Sequence, residues 1–218
     1  MSKKLIDGII EFNQLVRLEY QDIYSELQTK QTPDALFFGC SDSRVLPNVL
    51  SQSEPGELFV VRNVGNIIPI ADKNGISLGD ESEASAIEYG LGYLKIDDII
   101  VCGHSGCGAM TALFNGREKI KSPNLKSWLR HADGAFTFKE KLKFPKELSQ
   151  VDRLSQANVL LQLENIKTYP SVKEMMAKSN IRFHAWWFDL LSVKVFCYSQ
   201  ESNEFEILKL PSGNGNTL

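Results

Sequence analysis

Five residues in two short stretches carry the chemistry. GCSDSRV, residues 39–45, sets Cys40, Asp42 and Arg44 at alternate positions, and CGHSGCGAM, residues 102–110, adds His104 and Cys107. Two thiolates and an imidazole form a borderline-soft donor set suited to Zn²⁺, and three protein ligands leave a fourth tetrahedral position open, as in a catalytic site. A structural zinc would need a fourth Cys or His. The spare thiols are Cys102, on an apolar strand where its side chain should enter the core, and Cys197, in an alternating apolar strand; the other imidazoles are His131 and His184. Taken singly, each cysteine reads as a small, inert core residue. From the residues alone, three readings therefore stand: a catalytic zinc, a structural zinc, or no metal. Asp42 could cap the metal or accept the proton of a metal-activated water, with the Arg44 fork keeping it ionised. An ordinary surface turn with a weak ion pair is the plain alternative.

These residues must be positioned by the elements around them. ALFFGC, GELFVVRN and IDDIIVCG read as short buried strands, with a helical block from Asp80 to Tyr93 between the last two and a helix opening at CGAMTALF. Short apolar strands alternating with helices predict an α/β unit with a mainly parallel sheet. Both chemical stretches then lie at carboxyl ends of strands, where open α/β sheets place their sites. Neighbouring strands lie about 4.8 Å apart, close enough to bring Cys40 to His104 and Cys107. Residues 5–28 carry Ile9, Phe12, Leu15, Val16, Tyr20, Ile23 and Leu27 at helical spacing, predicting one or two amphipathic helices that pack on the chain's own core or on a partner. Residues 116–150 read as a Lys-rich helical excursion with loops, its charge a solvated face. A helix is expected over Leu148–Tyr169, restarted at Pro170, followed by strand-like stretches IRFHAWWFDL, SVKVFCYS and EFEILKL forming an antiparallel edge, and a frayed PSGNGNTL. Neither GxxxxGK[ST] nor GxGxxG occurs, so the glycines around His104 are no phosphate loop.

The chain has 218 residues, 43% hydrophobic and 23% charged, which suits one sizeable core. A formal net charge of -3 gives no bulk drive toward nucleic acid or an anionic membrane. The opening MSKKLIDGIIEF has charges within its apolar run and does not read as a signal peptide. No stretch approaches the roughly 20 apolar residues that span a bilayer. Four cysteines without a CxxC pair predict a reducing, cytoplasmic setting.

CSDSRV followed by HSGCG resembles the paired signature of the β-class carbonic anhydrases. The likeness extends through SQSEPGELFVVRNVGN, EASAIEYGLGYLKIDDIIVCGHSGCGAM and HAWWFDL, nearly the whole chain. It implies zinc, one per chain, on Cys40, His104 and Cys107, an aspartate–arginine dyad on Asp42 and Arg44, and a substrate pocket of Gln31, Phe59, Val64, Tyr89 and Gly108. The implied activity is reversible hydration of carbon dioxide to bicarbonate. The same scaffold acting on carbon disulfide or carbonyl sulfide, and a non-catalytic zinc module, are the alternatives. The implied fold is a parallel core of strand order 2-1-3-4 with an antiparallel edge strand and flanking helices. Residues 1–30 would be a dimerising arm on a zinc-binding domain over 31–218. A homodimer or higher even homo-oligomer is implied, with the cleft at the subunit interface.

The family has two site designs. In one, aspartate can occupy the zinc and bicarbonate binds an inhibitory pocket built on a tryptophan three residues before the first cysteine. That position is Phe37 here, so the resemblance favours the plant-like, open design, with Asp42 off the metal. The late family motif reads His-Gly-Trp and then a turn with glycine; Ala185 replaces the first glycine and Val193 stands near the second. Alanine does not adopt positive φ comfortably, so a local difference in the turn is expected there.

Overall fold

A computed structural model describes residues 2–178 and 180–208; the C-terminal PSGNGNTL lies outside the described residues. Among the described residues, one six-stranded sheet organises the fold, in the order β2-β1-β3-β4-β5-β6. Its strands are β1 (Ala35–Cys40), β2 (Leu58–Asn63), β3 (Asp98–His104), β4 (Arg182–Asp189), β5 (Lys194–Ser199) and β6 (Glu204–Ile207). The first four are parallel, which is the expected 2-1-3-4 core. Two antiparallel strands, β5 and β6, extend it as the expected antiparallel edge, formed by the SVKVFCYS and EFEI stretches.

The central strands are buried along their length because both faces are covered. In β1, Leu36 and Phe38 enter a large cluster with Ile87, Ile99, Val101, Val159 and Trp187. Ala35 and Phe37 turn to the opposite face, with Ile100, Cys102 and Phe188. Continuous apolar runs, rather than alternation, are what a doubly covered parallel strand requires. Cys102 is fully buried, as expected. Cys197, expected in the core, is only half-buried, because β5 lies near the sheet margin.

The covering helices are α4 (Glu81–Gly92), α5 (Gly108–Phe114), α6 (Pro123–Leu129), α7 (Ala135–Lys139), α8 (Gln150–Ile166) and α9 (Pro170–Ala177); α3 (Pro47–Ser51) is a short turn of helix after β1. Asp80 caps α4 and Ser149 caps α8, each accepting a backbone N–H two or three residues on. The Lys-rich stretch forms α6, α7 and two 3₁₀ turns. The long α8 passes directly beneath the carboxyl end of β3. Gly103 permits that approach: a Cβ there would stand 2.7 Å from Val159 Cγ2.

The amino-terminal arm forms α1 (Lys3–Glu11) and α2 (Arg17–Leu27), joined without a break through a π-helical turn, Phe12–Val16. It contains no buried residue. Ala185 does not lie at a turn: it is paired with Val101 inside β4, and the strand's extended backbone accepts alanine. The positive φ falls instead on Val193, at 55°, in the β4–β5 connection.

Candidate metal centre

β1 and β3 are hydrogen-bonded neighbours, and their carboxyl ends bring Cys40 beside His104. Cys107 follows on the turn that opens α5. One ligand atom from each of Cys40, His104 and Cys107 lies within 4.8 Å of the others, and all three residues are buried. The spacing suits a tetrahedral zinc, whose bonds to sulfur and nitrogen are about 2.0–2.3 Å.

The imidazole is set for a metal. His104 Nδ1 faces Ser105 O at 2.9 Å and donates its proton there. Nε2 therefore carries the lone pair, is buried, and has no hydrogen-bond partner. An unpartnered buried nitrogen is costly unless something binds it. Histidine ligands are commonly oriented in this way, through the nitrogen that does not bind the metal. The donor set and its geometry fit zinc.

Each sulfur is served by backbone N–H groups. Gly65 donates to Cys40 Sγ at 3.4 Å, and the Asp42 amide also reaches that sulfur. The amides of Met110 and Ala109, in the first turn of α5, reach Cys107. Of the two bare thiols, Cys40 is drawn well below the ordinary thiol range, chiefly because Cys107 donates to it. Cys107, as the donor, is pushed up. Burial opposes ionisation of His104, but the Cys40 sulfur outweighs it and the net shift is upward. A thiol pair already disposed to lose one proton is a prepared site for a dication.

Asp42 stands over this corner without joining it. Its Oδ2 lies 3.9 Å from His104 Nε2. Arg44 grips the carboxylate with two prongs, Nε to Oδ1 at 2.9 Å and a terminal nitrogen to Oδ2 at 2.7 Å, and the Arg44 amide adds a bond to Oδ1 at 3.0 Å. These bonds hold the Asp42 carboxyl far below the usual carboxylate range. Arg62, which the sequence did not single out, latches the same turn by donating to Cys40 O and Asp42 O. From below, Ser155 donates to His104 O and Asp152 accepts from the Gly106 amide, both from α8. Such side-chain-to-backbone contacts have no local sequence pattern; only the charged types at Arg62 and Asp152 hinted at them.

The remaining expected pocket residues divide into two places. Gly108 opens α5 beside Cys107, and Val64 follows β2 immediately before Gly65. Gln31 and Tyr89 line a separate open groove of about 1330 Å³ beneath the arm, with Phe12, Val16, Tyr20 and Leu58. Phe59 packs against Tyr89, ring centres 5.8 Å apart, on that side. None of the metal-binding residues lines this groove. Phe37 is fully buried, edge-on to Trp186 at 6.2 Å.

The carbonic anhydrase family model matches residues 35–195. Among curated proteins, the carbonic anhydrase of Pseudomonas aeruginosa is 36% identical over 203 residues, spanning 93% of this chain and 90% of its own. Carbonic anhydrase 1 of Escherichia coli O157:H7 is 35% identical over 205 residues, with 93% and 90% covered. Among solved structures, the β-carbonic anhydrase CcaA superposes with a TM-score of 0.83 at 33% identity, covering 96% of this chain and 92% of its own. A tetrameric β-carbonic anhydrase of the ascomycete Sordaria macrospora gives 0.75 at 25% identity, with 90% and 97% covered. With its sheet order, its thiol–imidazole corner and these likenesses in agreement, the chain belongs to the β-class carbonic anhydrase family.

Proposed function

We propose that the protein catalyses the reversible hydration of carbon dioxide to bicarbonate and a proton, with one zinc per chain held by Cys40, His104 and Cys107. The observation that carries this reading is a buried triad of donors with an arginine-held carboxylate 3.9 Å from its imidazole nitrogen. When bound, zinc supplies a Lewis acid that makes water acidic enough to furnish hydroxide near neutral pH. Asp42 is the catalytic acceptor: ionised and fixed by Arg44, it takes a hydrogen bond from the attacking water and turns the oxygen lone pair toward carbon. Arg44 keeps that carboxylate from closing on the metal corner, which is the open design. Phe37, fully buried against Trp186, leaves the tryptophan-based inhibitory pocket unbuilt and supports the same assignment.

Carbon dioxide is apolar and needs no charged anchor. Val64 and Gly108 border the metal corner, while Phe59, Tyr89 and Gln31 form the other half of the pocket. In one chain these halves are separate, so the complete cleft forms between two chains, each lending its groove to the other's triad. The exposed apolar face of the arm, with Leu5, Ile9, Phe12, Leu15 and Leu18, supports residues 1–30 as the dimerising element of a homodimer or larger even assembly. Its four free thiols, two of them required as metal ligands, support a reducing, cytoplasmic setting.

Stopped-flow hydration assays on protein of measured zinc content test the proposal. Activity on carbon dioxide with about one zinc per chain is expected, and Cys107→Ser should lose metal and at least about 10²-fold in activity, since ligand loss exceeds the 10–100-fold cost of disturbing a ligand's supports. Full activity in metal-free protein would end the zinc mechanism. Turnover of carbonyl sulfide or carbon disulfide in preference to carbon dioxide would transfer the site to the sulfur substrates. Light scattering that found an active monomer would remove the shared cleft.

A further inference from the structure

The bond from Gly65 N–H to Cys40 Sγ depends on one peptide unit being held from outside. That unit links Val64 to Gly65, and both of its ends are engaged. Its N–H points at the sulfur at 3.4 Å, and its carbonyl, Val64 O, accepts from the Trp128 indole Nε1 at 2.8 Å. The next carbonyl, Gly65 O, accepts from Asn158 Nδ2 at 3.0 Å. The rest of the turn is held by Asn63, whose side chain accepts from the Ile67 amide and donates to Ile67 O, both at 2.7 Å, and by the burial of Gly65 and Asn66; the carbonyl of the 64–65 peptide is bonded by Trp128. Gly65 and Asn66 both have positive φ, 88° and 47°, and Val64 is 46% exposed. The two anchors are themselves immobilised. Trp128 packs against the cluster that includes Cys40 and Cys107, and stands edge-on to His131 at 5.9 Å. Asn158 is fully buried and accepts from Gln162 at 2.8 Å.

We infer that Trp128, with Asn158 behind it, is a positioning residue that aims the Gly65 N–H at the Cys40 sulfur and thereby sets how much charge that thiolate gives to the metal. An N–H bond to a thiolate draws charge toward the hydrogen, so the sulfur donates less to its ion. Removing the indole donor leaves Val64 O without that partner, so the 64–65 peptide can tilt within the turn and lengthen its N–H bond to the sulfur. Cys40 then becomes the stronger donor of the two thiolates, while its position in β1 is unchanged. The inference rests on the metal site proposed above, but not on the reaction assigned to it.

Cobalt(II)-substituted protein reads the sulfur directly through its sulfur-to-metal charge-transfer band. Trp128→Phe keeps the ring and removes the donor. The band should move to longer wavelength, as a more electron-rich sulfur gives up charge to the metal at lower energy. Asn158→Ser releases the same turn from the other side and should move the band in the same direction, deciding the matter should Trp128→Phe fail to fold. Leu142→Ala trims the margin of the same cluster outside α6, leaves the donor in place, and should leave the band where it is. A wild-type band in folded Trp128→Phe, or an equal shift in Leu142→Ala, overturns the inference. Wild-type protein that binds cobalt and shows the shifts, yet does not hydrate carbon dioxide, would refute the proposed reaction and leave this assignment intact; wild-type protein that takes up no cobalt would refute both.

Discussion

The two ends of the central strands carry the same trio of side chains put to opposite uses. At the amino ends of β3 and β4, Asp98 accepts from both Arg182 and His184, the histidine Nε2 standing 2.7 Å from Oδ1. At the carboxyl ends, Asp42 is gripped by Arg44 in the same two-pronged way, but His104 Nε2 stays 3.9 Å away with no partner. The first arrangement is closed: each charged group meets its complement and water reaches the rest. The second is held open. A carboxylate and an imidazole within reach of each other are kept apart by an arginine on one side and by Ser105 O on the other. An unsatisfied buried nitrogen is a cost of order 1–3 kcal/mol, tolerated where a ligand removes it.

Breaking the arginine grip should give the largest effect. Arg44→Ala leaves Asp42 free to close on the ligand corner, as Asp98 closes on His184 at the other end. Carbon dioxide hydration should fall by about 10²-fold, the size of losing a group that organises charge in a site. Zinc content should stay near one per chain by elemental analysis, because the three ligands are untouched. Retained activity would mean that Arg44 is an ordinary surface partner and that the two ends do not differ in the way described.

The closed end predicts a smaller effect, on stability and not on turnover. Arg182 lowers the Asp98 carboxyl below its ordinary value, against the opposing influence of burial, and His184 adds to the lowering. A carboxyl depressed on folding stabilises the protein above its unfolded pKa of about 3.9, and that contribution is lost as pH falls through the folded value. Asp98→Asn should therefore lower the melting temperature by roughly 2–4 °C near neutral pH, the shift expected for about 1 kcal/mol in a chain of this size. The difference from wild type should hold down to about pH 5 and close below about pH 4. Calorimetry across that range checks it. A difference that grew on acidification would reverse the sign of the linkage.

The smallest effect belongs to the β4–β5 connection, which joins the strands at the site end. Val193 sits at φ 55° and is 73% exposed. A β-branched residue in the left-handed region costs about 1–2 kcal/mol, and glycine adopts it freely at some cost in unfolded-state entropy. Val193→Gly should raise the melting temperature by roughly 1–3 °C while hydration activity stays within twofold. A lower melting temperature would show that Val193 makes a contact that outweighs its backbone strain.

How much of this was legible in the sequence varies by region, for physical reasons. The apolar runs ALFF and IIVCG read as buried strands of a mainly parallel sheet, so the meeting of Cys40 with His104 and Cys107 at their carboxyl ends was readable in advance, whereas the strand order came only from the family resemblance. The dyad was readable because Asp42 and Arg44 are two residues apart and can pair within one turn. The arm was readable as amphipathic helix, though not its π-helical turn, since a ladder shifted by one residue leaves no mark in the pattern of side chains. Ala185 was misread as a turn residue: the His-Gly-Trp likeness implied a special backbone, whereas pairing with Val101 made it a plain strand position and moved the strain to Val193.

Residue types and spacing by themselves determined the donor set, the charged pair and the inner strands, because each depends on neighbours along the chain or on how apolar a run is. Only the tertiary structure decided that His104 Nε2 is left without a partner, that Trp128 and Asn158 hold the Gly65 turn, and that Gln31, Phe59 and Tyr89 lie away from the chain's own triad. Those facts depend on contacts between residues tens of positions apart. Such contacts are fixed by where α6 and α8 come to rest on the sheet, and no local pattern of side chains records that.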